Sequence, residues 1–347
     1  MKRNLKFLAS IAAAAALMVS AAGCSSSSTG SSESGSSASA ETSSTEETAS
    51  EEQITIGILQ GSEHEALDQC RQGFMDYLAE NGYEDGGKVV FDYQNAQNDQ
   101  SNLKTISQRF VNNECDYLLG ISTPAAQTLA TETQEIPIVG TAITDYVAAG
   151  LVDSDENPGG NVSGVNDATP IGNQIGLIKQ LVPDAKTIGI MYNSSEVNSQ
   201  VQAEQAQAEA EAAGYAIEIS TVSSSNDVAQ AMETMCEKVD AIYIPTDNTF
   251  ASAMATVGQI SEQRGVPVIP GDTGMCEAGG VATLGVDFYE LGKQTGEFML
   301  KVIDGGDIST MPVEDPKVNL LVINKTLADK IGIEIPQELL DSADSIV

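Results

Sequence analysis

Two stretches of the chain share one order of apolar and polar residues. Cys115–Ala130 and Val239–Met254 each place an aspartate before an apolar run, followed by a polar turn and an alanine-rich segment. The apolar run is typical of a buried strand, and alanine favours the helix that follows. Ser122 or Thr123 fits the N-cap of that helix, and Pro124 fits its first turn. Each stretch therefore predicts a strand, a tight turn and a helix.

Further short matches indicate an internal duplication. Thr55–Gly57 recurs as Thr187–Gly189, and Ile136–Ile138 recurs as Val266–Val268, at nearly the same separation as the first pair. Each match is short, but the shared order favours two copies of one unit. Predicted strands alternate with predicted helices in both copies, so we expect parallel sheets covered on both faces. The fold prediction is therefore α/β, with two Rossmann-like lobes that face each other across a cleft.

Ligands of open parallel sheets bind at the carboxyl ends of the strands. This rule selects the loops that directly follow predicted strands. They are Gln60–Glu65, Ser122–Ala125, Thr141–Asp145, Tyr192–Asn198, Thr246–Phe250 and Gly271–Thr273. We expect Asp272–Gly279 to form an irregular loop and Lys325–Gly332 to form the last helical stretch.

The N-terminal region is typical of a targeting segment. Basic residues precede the apolar run Phe7–Ala22, and the run ends just before Cys24. This ending resembles a bacterial lipobox, which implies a signal peptide over residues 1–23 and lipidation of Cys24. Residues 24–52 are rich in Ser, Thr and Glu without periodicity, which predicts a disordered linker. We therefore expect the protein to be lipid-anchored on the extracytoplasmic face of a bacterial cell membrane.

Charge and composition exclude several classes of function. The formal net charge of −34 argues against nucleic acid as a partner, because binding to phosphates needs basic surface. The chain has one histidine, and its sequence contains neither a nucleophile elbow nor a P-loop, so we expect no enzyme activity and no cofactor. The cysteines Cys70, Cys115, Cys236 and Cys276 lack the spacing of metal ligands. We expect buried free thiols, and the sequence leaves disulfide pairing open.

Seven segments together carry a resemblance to a known family. They are ILQGSEHEALDQCRQGF, STPAAQTLA, GTAITDYVAAGLV, GVNDATP, IGIMYNSSEVNSQ, IPTDNTFASAM and GVDFYELGKQTGEF. Residues 53–340 resemble the ABC transporter substrate-binding lipoproteins of the tryptophan/tyrosine-type family. The resemblance implies the type I periplasmic binding protein fold, with capture of a small solute, often an aromatic amino acid. It also implies delivery of that solute to a membrane permease driven by a cytoplasmic ATPase.

The same resemblance implies how the chain divides into lobes. Lobe 1 would comprise residues 53–165 plus 286–312, and lobe 2 would comprise residues 166–285 plus 313–347. A hinge of three segments would join them. We expect a monomer that binds its ligand in the interlobe cleft.

A zwitterionic amino acid needs an anion site. Arg71, Arg109 and Arg264 fall in or beside predicted helices, away from the strand-end loops. We therefore expect the ligand carboxylate to bind hydroxyls and backbone N–H groups at a helix start, where the dipole favours an anion. The candidates are Ser122, Thr123, Ala125 and Ala126. The alternative, that Ser122 and Thr123 only cap their own helix, stays open.

The ligand ammonium needs carboxylates, and a charge-assisted hydrogen bond makes them effective partners. Asp247 and Asp272 are the leading candidates and Asp145 is the third, although Asp247 could serve only as an N-cap. Further polar groups in the strand-end loops complete the expected site. They are Gln60, Thr141, Asn193, Thr246, Asn248 and Thr249.

Aromatic walls for the ligand side chain could come from Tyr146, Tyr192 and Phe250, which could equally pack in the core. His64 is expected at a helix start or at the rim of the site. Two functional alternatives stay open at this point. One is a lipid-anchored sensor of the same fold, and the other is an importer component for a non-aromatic solute.

Overall fold

The computed structural model describes residues Gln53–Val347. The expected signal peptide, the lipidation site Cys24 and the expected linker lie outside these residues. Within Gln53–Val347, no helix is both long and apolar enough to cross a membrane.

The first sheet has five parallel strands in the order β2-β1-β3-β4-β5. Its central strands are almost fully buried apolar runs, as expected for a sheet covered by helices on both faces. We call this sheet and the helices packed on it the first lobe. Its elements are β1 (Ile54–Gln60), α1 (Glu65–Glu80), β2 (Val89–Asn95), α2 (Gln100–Asn112), β3 (Tyr117–Ile121), α3 (Thr123–Glu132), β4 (Ile138–Ile143) and β5 (Val162–Asn166).

The second sheet repeats this architecture with four parallel strands in the order β7-β6-β8-β9. We call it and its helices the second lobe. Its elements are α4 (Ile171–Leu181), β6 (Thr187–Asn193), α5 (Val197–Ala212), β7 (Ala216–Val222), α6 (Ser225–Cys236), β8 (Ala241–Ile244), α7 (Asn248–Ala251), α8 (Met254–Arg264), β9 (Val268–Pro270) and α9 (Thr273–Gly279). The fold is thus α/β with two parallel-sheet lobes, as the alternation of strands and helices predicted.

The C-terminal part of the chain forms a third, small sheet in the order β10-β11-β12. Here the expectation of parallel pairing is wrong, because β10 and β11 are antiparallel. The helix between them packs against α1 of the first lobe, so the chain returns to β10 from the opposite direction. The elements are β10 (Ala282–Val286), α10 (Phe288–Ile303), β11 (Asn319–Ile323), α11 (Lys325–Ile331), α12 (Gln337–Ser342) and β12 (Ser345–Ile346).

Asp272–Gly279 was expected to be an irregular loop, and that expectation is also wrong. Thr273–Gly279 is the helix α9, and the Asp272 side chain caps it by accepting a hydrogen bond from the Met275 N–H at 2.6 Å. The two glycines within this short segment disfavour a helix by propensity. The N-cap and burial of Met275 and Cys276 overcome that preference.

The hydrophobic cores show where the C-terminal segments belong. Phe288, Leu291 and Phe298 of α10 are buried in one cluster with the strands of the first lobe. In contrast, Ile323 and Leu327, from β11 and α11, are buried in a cluster of the second lobe.

Helices α1 and α10 touch at glycines. A Cβ atom on Gly73 would lie 2.1 Å from the carbonyl oxygen of Tyr289, and one on Gly292 would lie 2.0 Å from that of Cys70. Neither distance is possible for a real side chain, so both positions require glycine for the two backbones to approach so closely.

All four cysteines of the described region are free thiols. Cys70, Cys115 and Cys276 are buried, and Cys236 is half-buried. Burial raises the pKa of Cys70 to about 12, so this thiol is protonated and unreactive at neutral pH. The same residues, Gln53–Val347, contain no cluster of three or more His, Cys, Asp or Glu side chains suited to a metal ion.

Candidate functional site

The carboxyl ends of the two parallel sheets face each other across a small cavity. The space between the lining atoms measures about 280 Å³ including open solvent, and the centre of a water molecule could occupy only about 10 Å³ of it. Polar and acidic side chains predominate in its lining, and no lysine or arginine is among the described residues that line it. The lining residues are His64, Leu67, Ala142, Asp167, Asn198, Thr246, Asp247, Asn248, Asp272 and Phe288.

Hydrogen bonds cross the cleft beside this cavity. The Asn98 Nδ2 atom of the first lobe donates to Thr249 Oγ1 of the second lobe at 3.0 Å. His64 Nε2 of the first lobe lies 3.3 Å from Asn248 Oδ1 of the second lobe. Burial lowers the pKa of His64, so a neutral imidazole donates this hydrogen bond at neutral pH. The two lobes are therefore closed on each other.

Asp272 and Asp167 each present one unused carboxylate oxygen within the closed cleft. Asp272 is 1% exposed and Asp167 is 2% exposed. Asp272 Oδ1 accepts from Met275 N, whereas Asp272 Oδ2 and Asp167 Oδ1 have no hydrogen-bond partner among the described residues. Burial raises the pKa of Asp272 to about 7 and that of Asp167 to about 6. Both carboxylates are thus available to a cationic group in the cavity.

Asp167 was not among the residues expected at the site. It follows β5 directly, and its N–H donates to the Ile143 carbonyl at 3.3 Å, beside the end of β4. The available signal was an aspartate within the GVNDATP segment, at the junction of the two copies. Phe288, which lines the cavity from the start of α10, was also missed.

Asp247 lines the cavity, but its oxygens already have partners. Asp247 Oδ2 accepts from Asn193 N at 2.6 Å, and Oδ1 accepts from Phe250 N at 2.8 Å. Asp247 is thus the N-cap of α7, which was the alternative weighed for it. Burial, and then the negative charge of Glu196, hold its pKa well above the ordinary value for an aspartate. Asp247 therefore has less capacity to bind a ligand cation than Asp272.

A buried glutamate that sequence reasoning did not single out organises the start of α7. Glu196 Oε2 accepts from Asn248 N at 3.0 Å and from Asn248 Nδ2 at 2.7 Å. Its Oε1 atom accepts from Thr249 N at 3.1 Å and from Thr249 Oγ1 at 2.8 Å. Asn193 Nδ2 also donates to Thr249 Oγ1, at 2.7 Å. Asn193, Asn248 and Thr249 are therefore fixed by this network and hold the second-lobe face of the cleft.

The start of α3 provides hydroxyl groups. Ser122 lies at the N-cap position with φ 101° and ψ 156°, yet its side chain makes no capping hydrogen bond. Ser122 Oγ and Thr123 Oγ1 are buried and have no hydrogen-bond partner among the described residues. The same holds for Ser62 Oγ, in the loop after β1. Ala126 N is bonded to the Ser122 carbonyl within the helix. Buried hydroxyls without partners are rare, so these are candidate donors to a ligand.

A backbone hydrogen bond between neighbouring strands places Ser122 near the cavity. Its N–H donates to the Thr141 carbonyl at 3.0 Å, and the next residue on that strand, Ala142, lines the cavity. Ala142 has φ 54°, so two non-glycine residues with positive φ are adjacent at this edge. Backbone strain of this kind concentrates at functional sites.

Several other expected site residues are structural in this closed form. Gln60 Nε2 donates to the Ser62 carbonyl at 2.8 Å and so shapes the loop after β1. Thr141 Oγ1 is buried and accepts from Thr295 Oγ1 of α10 at 2.8 Å. Asp145 Oδ1 accepts from Ala148 N at 2.8 Å and does not line the cavity.

The expected aromatic walls are core residues. Tyr146 is buried in a first-lobe cluster, and its hydroxyl donates to the Val165 carbonyl at 3.2 Å. Phe250 is buried in a second-lobe cluster, and Tyr192 packs against another. The alternative of core packing therefore describes all three. Thr246, in contrast, lines the cavity, and its N–H donates to Gln202 Oε1 at 3.1 Å.

Two parallel-sheet lobes that close over a polar cavity define the type I periplasmic binding protein fold. The chain belongs to the family of ABC transporter substrate-binding proteins, whose model matches residues 55–347. This is a family of solute-binding proteins and not a class of enzymes.

Relatives that are named for a ligand, or solved with one, are similar to most of the chain. It is 39% identical over 274 residues to the tyrosine-binding protein of Clostridioides difficile strain R20291, covering 79% of each chain. A solved structure of an ABC domain in complex with L-Trp, from Streptococcus pneumonia, is 42% identical with a TM-score of 0.82, covering 85% of this chain and 100% of that one.

A third comparison bears on the conformation. The ligand-free, open structure of a substrate-binding protein with adhesive properties from Clostridium difficile is 39% identical and covers 85% of this chain and 99% of that one. Its TM-score is 0.66, although its sequence identity is close to that of the L-Trp complex. The better match to the ligand-bound relative agrees with the hydrogen bonds that close the cleft.

Proposed function

We propose that this protein captures an aromatic amino acid, tyrosine or tryptophan, in the interlobe cavity and delivers it to the permease of an ABC importer. The observation that carries this proposal is the pair of buried carboxylates, Asp167 and Asp272. Each has one oxygen without a partner among the described residues, and no described lysine or arginine lines their cavity. Buried charges need a partner, and the ammonium of an amino acid is one. The tyrosine- and tryptophan-binding relatives support an aromatic side chain.

The ligand carboxylate would bind to hydrogen-bond donors, which are hydroxyl groups. Ser62, Ser122 and Thr123 supply three buried hydroxyls at the ends of β1 and β3, and none of the three has a partner within Gln53–Val347. Hydroxyl donors to a carboxylate form charge-assisted hydrogen bonds, and the start of α3 adds the favourable end of a helix dipole. The apolar residues Leu67 and Phe288 would contact the ligand side chain.

The remaining parts of the proposal concern the whole protein. The lobes would comprise residues 53–165 plus 286–312 and residues 166–285 plus 313–347, which agrees with the separation of the buried clusters. The protein would act outside the cytoplasm as a monomer, held at the membrane by a lipid on Cys24 and a linker over residues 24–52. A cytoplasmic ATPase would drive the permease.

Intrinsic fluorescence tests the ligand assignment directly, because the chain contains no tryptophan. Excitation of tryptophan therefore reports only on the ligand. Protein freed of retained ligand by unfolding and refolding should raise the anisotropy of added L-Trp, and L-Tyr should displace it. A denatured extract that carries a sugar or nucleoside, together with no response to any amino acid, would overturn the proposal.

A further inference from the structure

Asn198 presents an uncharged acceptor to the cavity that the contacts proposed above leave unused. Three buried side-chain oxygens of the lining have no hydrogen-bond partner within Gln53–Val347, and they belong to Asp167, Asp272 and Asn198. The two carboxylates are complementary to a cation, whereas Asn198 Oδ1 is a neutral amide oxygen on a residue that is only 5% exposed. A buried acceptor without a partner is unfavourable, so this oxygen needs a donor from the ligand.

The amide group of Asn198 is oriented by its nitrogen atom. Nδ2 donates to the Thr246 carbonyl at 2.9 Å and to Ser199 Oγ at 3.3 Å. Reversal of the amide would place Oδ1 against the Thr246 carbonyl oxygen, and neither of these two acceptors has a hydrogen to share. The nitrogen is therefore directed at the protein, and Oδ1 remains as the acceptor that faces the cavity before any ligand arrives.

The other hydroxyl and amide side chains of the lining are already engaged. Thr246 Oγ1 donates to Gln202 Oε1 at 3.1 Å, and Asn248 Oδ1 accepts from His64 Nε2 at 3.3 Å. Among the neutral polar groups of this second-lobe face, Asn198 Oδ1 is thus the acceptor that no described residue occupies.

Asn198 lies apart from the proposed place of the ligand ammonium. It follows β6 in the chain and Asp272 follows β9, with β8 between these two strands. Its amide reaches the end of β8, so it is displaced from Asp272 by one to two strand spacings, roughly 5–10 Å. A donor at Asn198 therefore belongs to a different part of the ligand from the ammonium at Asp272. The ligand carboxylate has no hydrogen to donate, which leaves the side chain.

Resting on the proposed function, we propose that Asn198 Oδ1 accepts a hydrogen bond from the ligand side chain and so determines which aromatic amino acid is bound. The phenol O–H of tyrosine and the indole N–H of tryptophan are both donors. Phenylalanine has an aromatic ring but no donor, so its binding leaves Asn198 Oδ1 unpaired in the closed cleft. A site built to bind a ligand O–H or N–H rejects the analogue that lacks it far more strongly than an apolar pocket does.

Calorimetric titration with matched pairs of ligands tests this contact. L-Tyr is compared with L-Phe, and L-Trp with 3-(3-benzothienyl)-L-alanine, in which sulfur replaces the indole N–H. The natural chain should bind the donor-bearing member of each pair about 10- to 100-fold more tightly, because the other member leaves a buried acceptor unpaired. Both preferences should disappear in Asn198→Leu, which keeps nearly the same side-chain shape without an acceptor.

The ratio within each pair separates this contact from other roles of Asn198. An Asn198 that contacted only the ammonium, or that only held the start of α5 against Thr246, would affect both members of a pair equally. Asn198→Leu would then weaken binding of both and leave the ratios as they are in the natural chain.

Asn161→Leu is the matched control. Asn161 Nδ2 also donates to main-chain carbonyls, those of Thr133 at 3.1 Å and Ile136 at 2.8 Å, but it lies at the amino-terminal end of the first sheet. Ligands bind at the other end of such a sheet. This change should lower stability and leave both preferences equal to those of the natural chain.

Two failures are distinguishable. If the natural chain binds tyrosine and phenylalanine equally well, or if Asn198→Leu retains the natural preferences, the contact with Asn198 is refuted while the proposed function stands. If no aromatic amino acid binds the natural chain, the proposed function itself fails. Should Asn198→Leu not fold, Asn198→Ala gives the same ratios with a smaller side chain that also lacks an acceptor.

Discussion

The Asn98 side chain of the first lobe donates to the Thr249 hydroxyl of the second lobe, and that hydroxyl donates in turn to Glu196. The Nδ2···Oγ1 distance is 3.0 Å and the Oγ1···Oε1 distance is 2.8 Å. The surface contact that closes the cleft is thus continuous with a buried carboxylate. Because Glu196 also holds both N–H groups at the start of α7, the geometry of that helix start and the closed state depend on each other.

Asn98→Gly should speed ligand dissociation without destabilising the ligand-free protein. Asn98 has φ 57°, which glycine adopts without strain, so the change removes the side chain and leaves the loop intact. A net loss of about 0.5–1.5 kcal/mol for one hydrogen bond corresponds to a dissociation rate about 2- to 10-fold higher. Stopped-flow release of L-Trp measures it, with the tryptophan-free protein as a dark background.

Gln97→Gly is the control for that substitution. Gln97 has φ 55°, and its side chain donates a hydrogen bond to Glu63 within the same lobe at 3.0 Å. Gln97→Gly therefore changes the backbone in the same way as Asn98→Gly but removes no hydrogen bond across the cleft. Equal dissociation rates in the two variants would contradict a role of Asn98 in closure.

The ligand-free protein should lose thermal stability as the pH rises toward 8. Burial and the charge of Glu196 raise the pKa of Asp247 to about 8, whereas an unfolded aspartate titrates near about 4. The native state therefore holds this proton more tightly, and the resulting stability is fully present below about pH 4 and lost as the pH rises through about 8. Melting temperatures measured between about pH 5.5 and 8.5 test this slope.

Two variants assign the slope to its cause. Asp247→Asn cannot ionise, so its melting temperature should change less over the same pH range, whatever its absolute value. Asp240→Asn should keep the slope, because backbone N–H groups of Lys186 and Thr187 lower the pKa of Asp240 and move its titration to acid pH. Burial also raises the pKa of Asp272 to about 7 and that of Asp167 to about 6, so part of the slope should remain in Asp247→Asn. A slope as steep as that of the natural chain would contradict the assignment.

The sequence predicted the regular elements well where periodicity and caps agreed. Cys115–Ala130 and Val239–Met254 each contain the expected strand, β3 and β8. The predicted helical stretch Lys325–Gly332 contains α11, although it is not the last helix, because α12 follows it. The errors arose where tertiary contacts decide. The helix Thr273–Gly279 depends on burial beneath the cavity, and the antiparallel β11 depends on α10 crossing to the other lobe. Neither contact leaves a local signal in the chain.

The strand-end rule brought attention to the correct loops but not to the chemistry within them. Asp247 and Asp272 both follow strands and both cap helices, so the sequence around each gives nearly the same signal. Only the hydrogen-bond partners distinguish them, because Asp247 has both oxygens occupied and Asp272 retains one. Glu196 was invisible for a similar reason, since its importance comes from Asn248 and Thr249, which lie far from it in the chain.

Gly292→Ala should destabilise the protein strongly for a change of one methyl group. The new Cβ would lie 2.0 Å from the Cys70 carbonyl, so α10 must move away from α1. Overpacking of this kind costs about 1–3 kcal/mol, which corresponds to a melting temperature lower by roughly 3–10 °C. Thermal unfolding followed by circular dichroism measures it, and an unchanged melting temperature would argue against tight docking of α10 on the first lobe.

Gly176→Ala is the matched helix control. A Cβ on Gly176 in α4 would meet no atom of the described residues within 4 Å. The change should therefore raise the free energy of unfolding by about 0.5–1 kcal/mol through helix propensity alone. Stability should thus fall in Gly292→Ala and rise in Gly176→Ala. This difference in sign would show that the loss comes from the contact between α1 and α10 and not from helix propensity.

Ser122→Gly should make the protein more stable and the site weaker. Ser122 has φ 101° and ψ 156°, a region that only glycine adopts readily, so the change relieves strain of about 1–3 kcal/mol. Greater chain entropy of glycine in the unfolded state offsets part of this, which leaves a net gain of about 1 kcal/mol. The same change removes a buried hydroxyl that bonds no described residue, so no native hydrogen bond is lost.

If that hydroxyl donates to the ligand carboxylate, both Ser122→Gly and Ser122→Ala should bind L-Trp about 10-fold more weakly, while only the glycine variant gains stability. Ser107→Ala supplies the reverse pattern, because Ser107 Oγ donates to the Leu103 carbonyl inside α2, and its loss should lower stability without changing affinity. Chemical denaturation and fluorescence titration on the three variants give both quantities, and undiminished affinity in Ser122→Ala would remove Ser122 from the anion site.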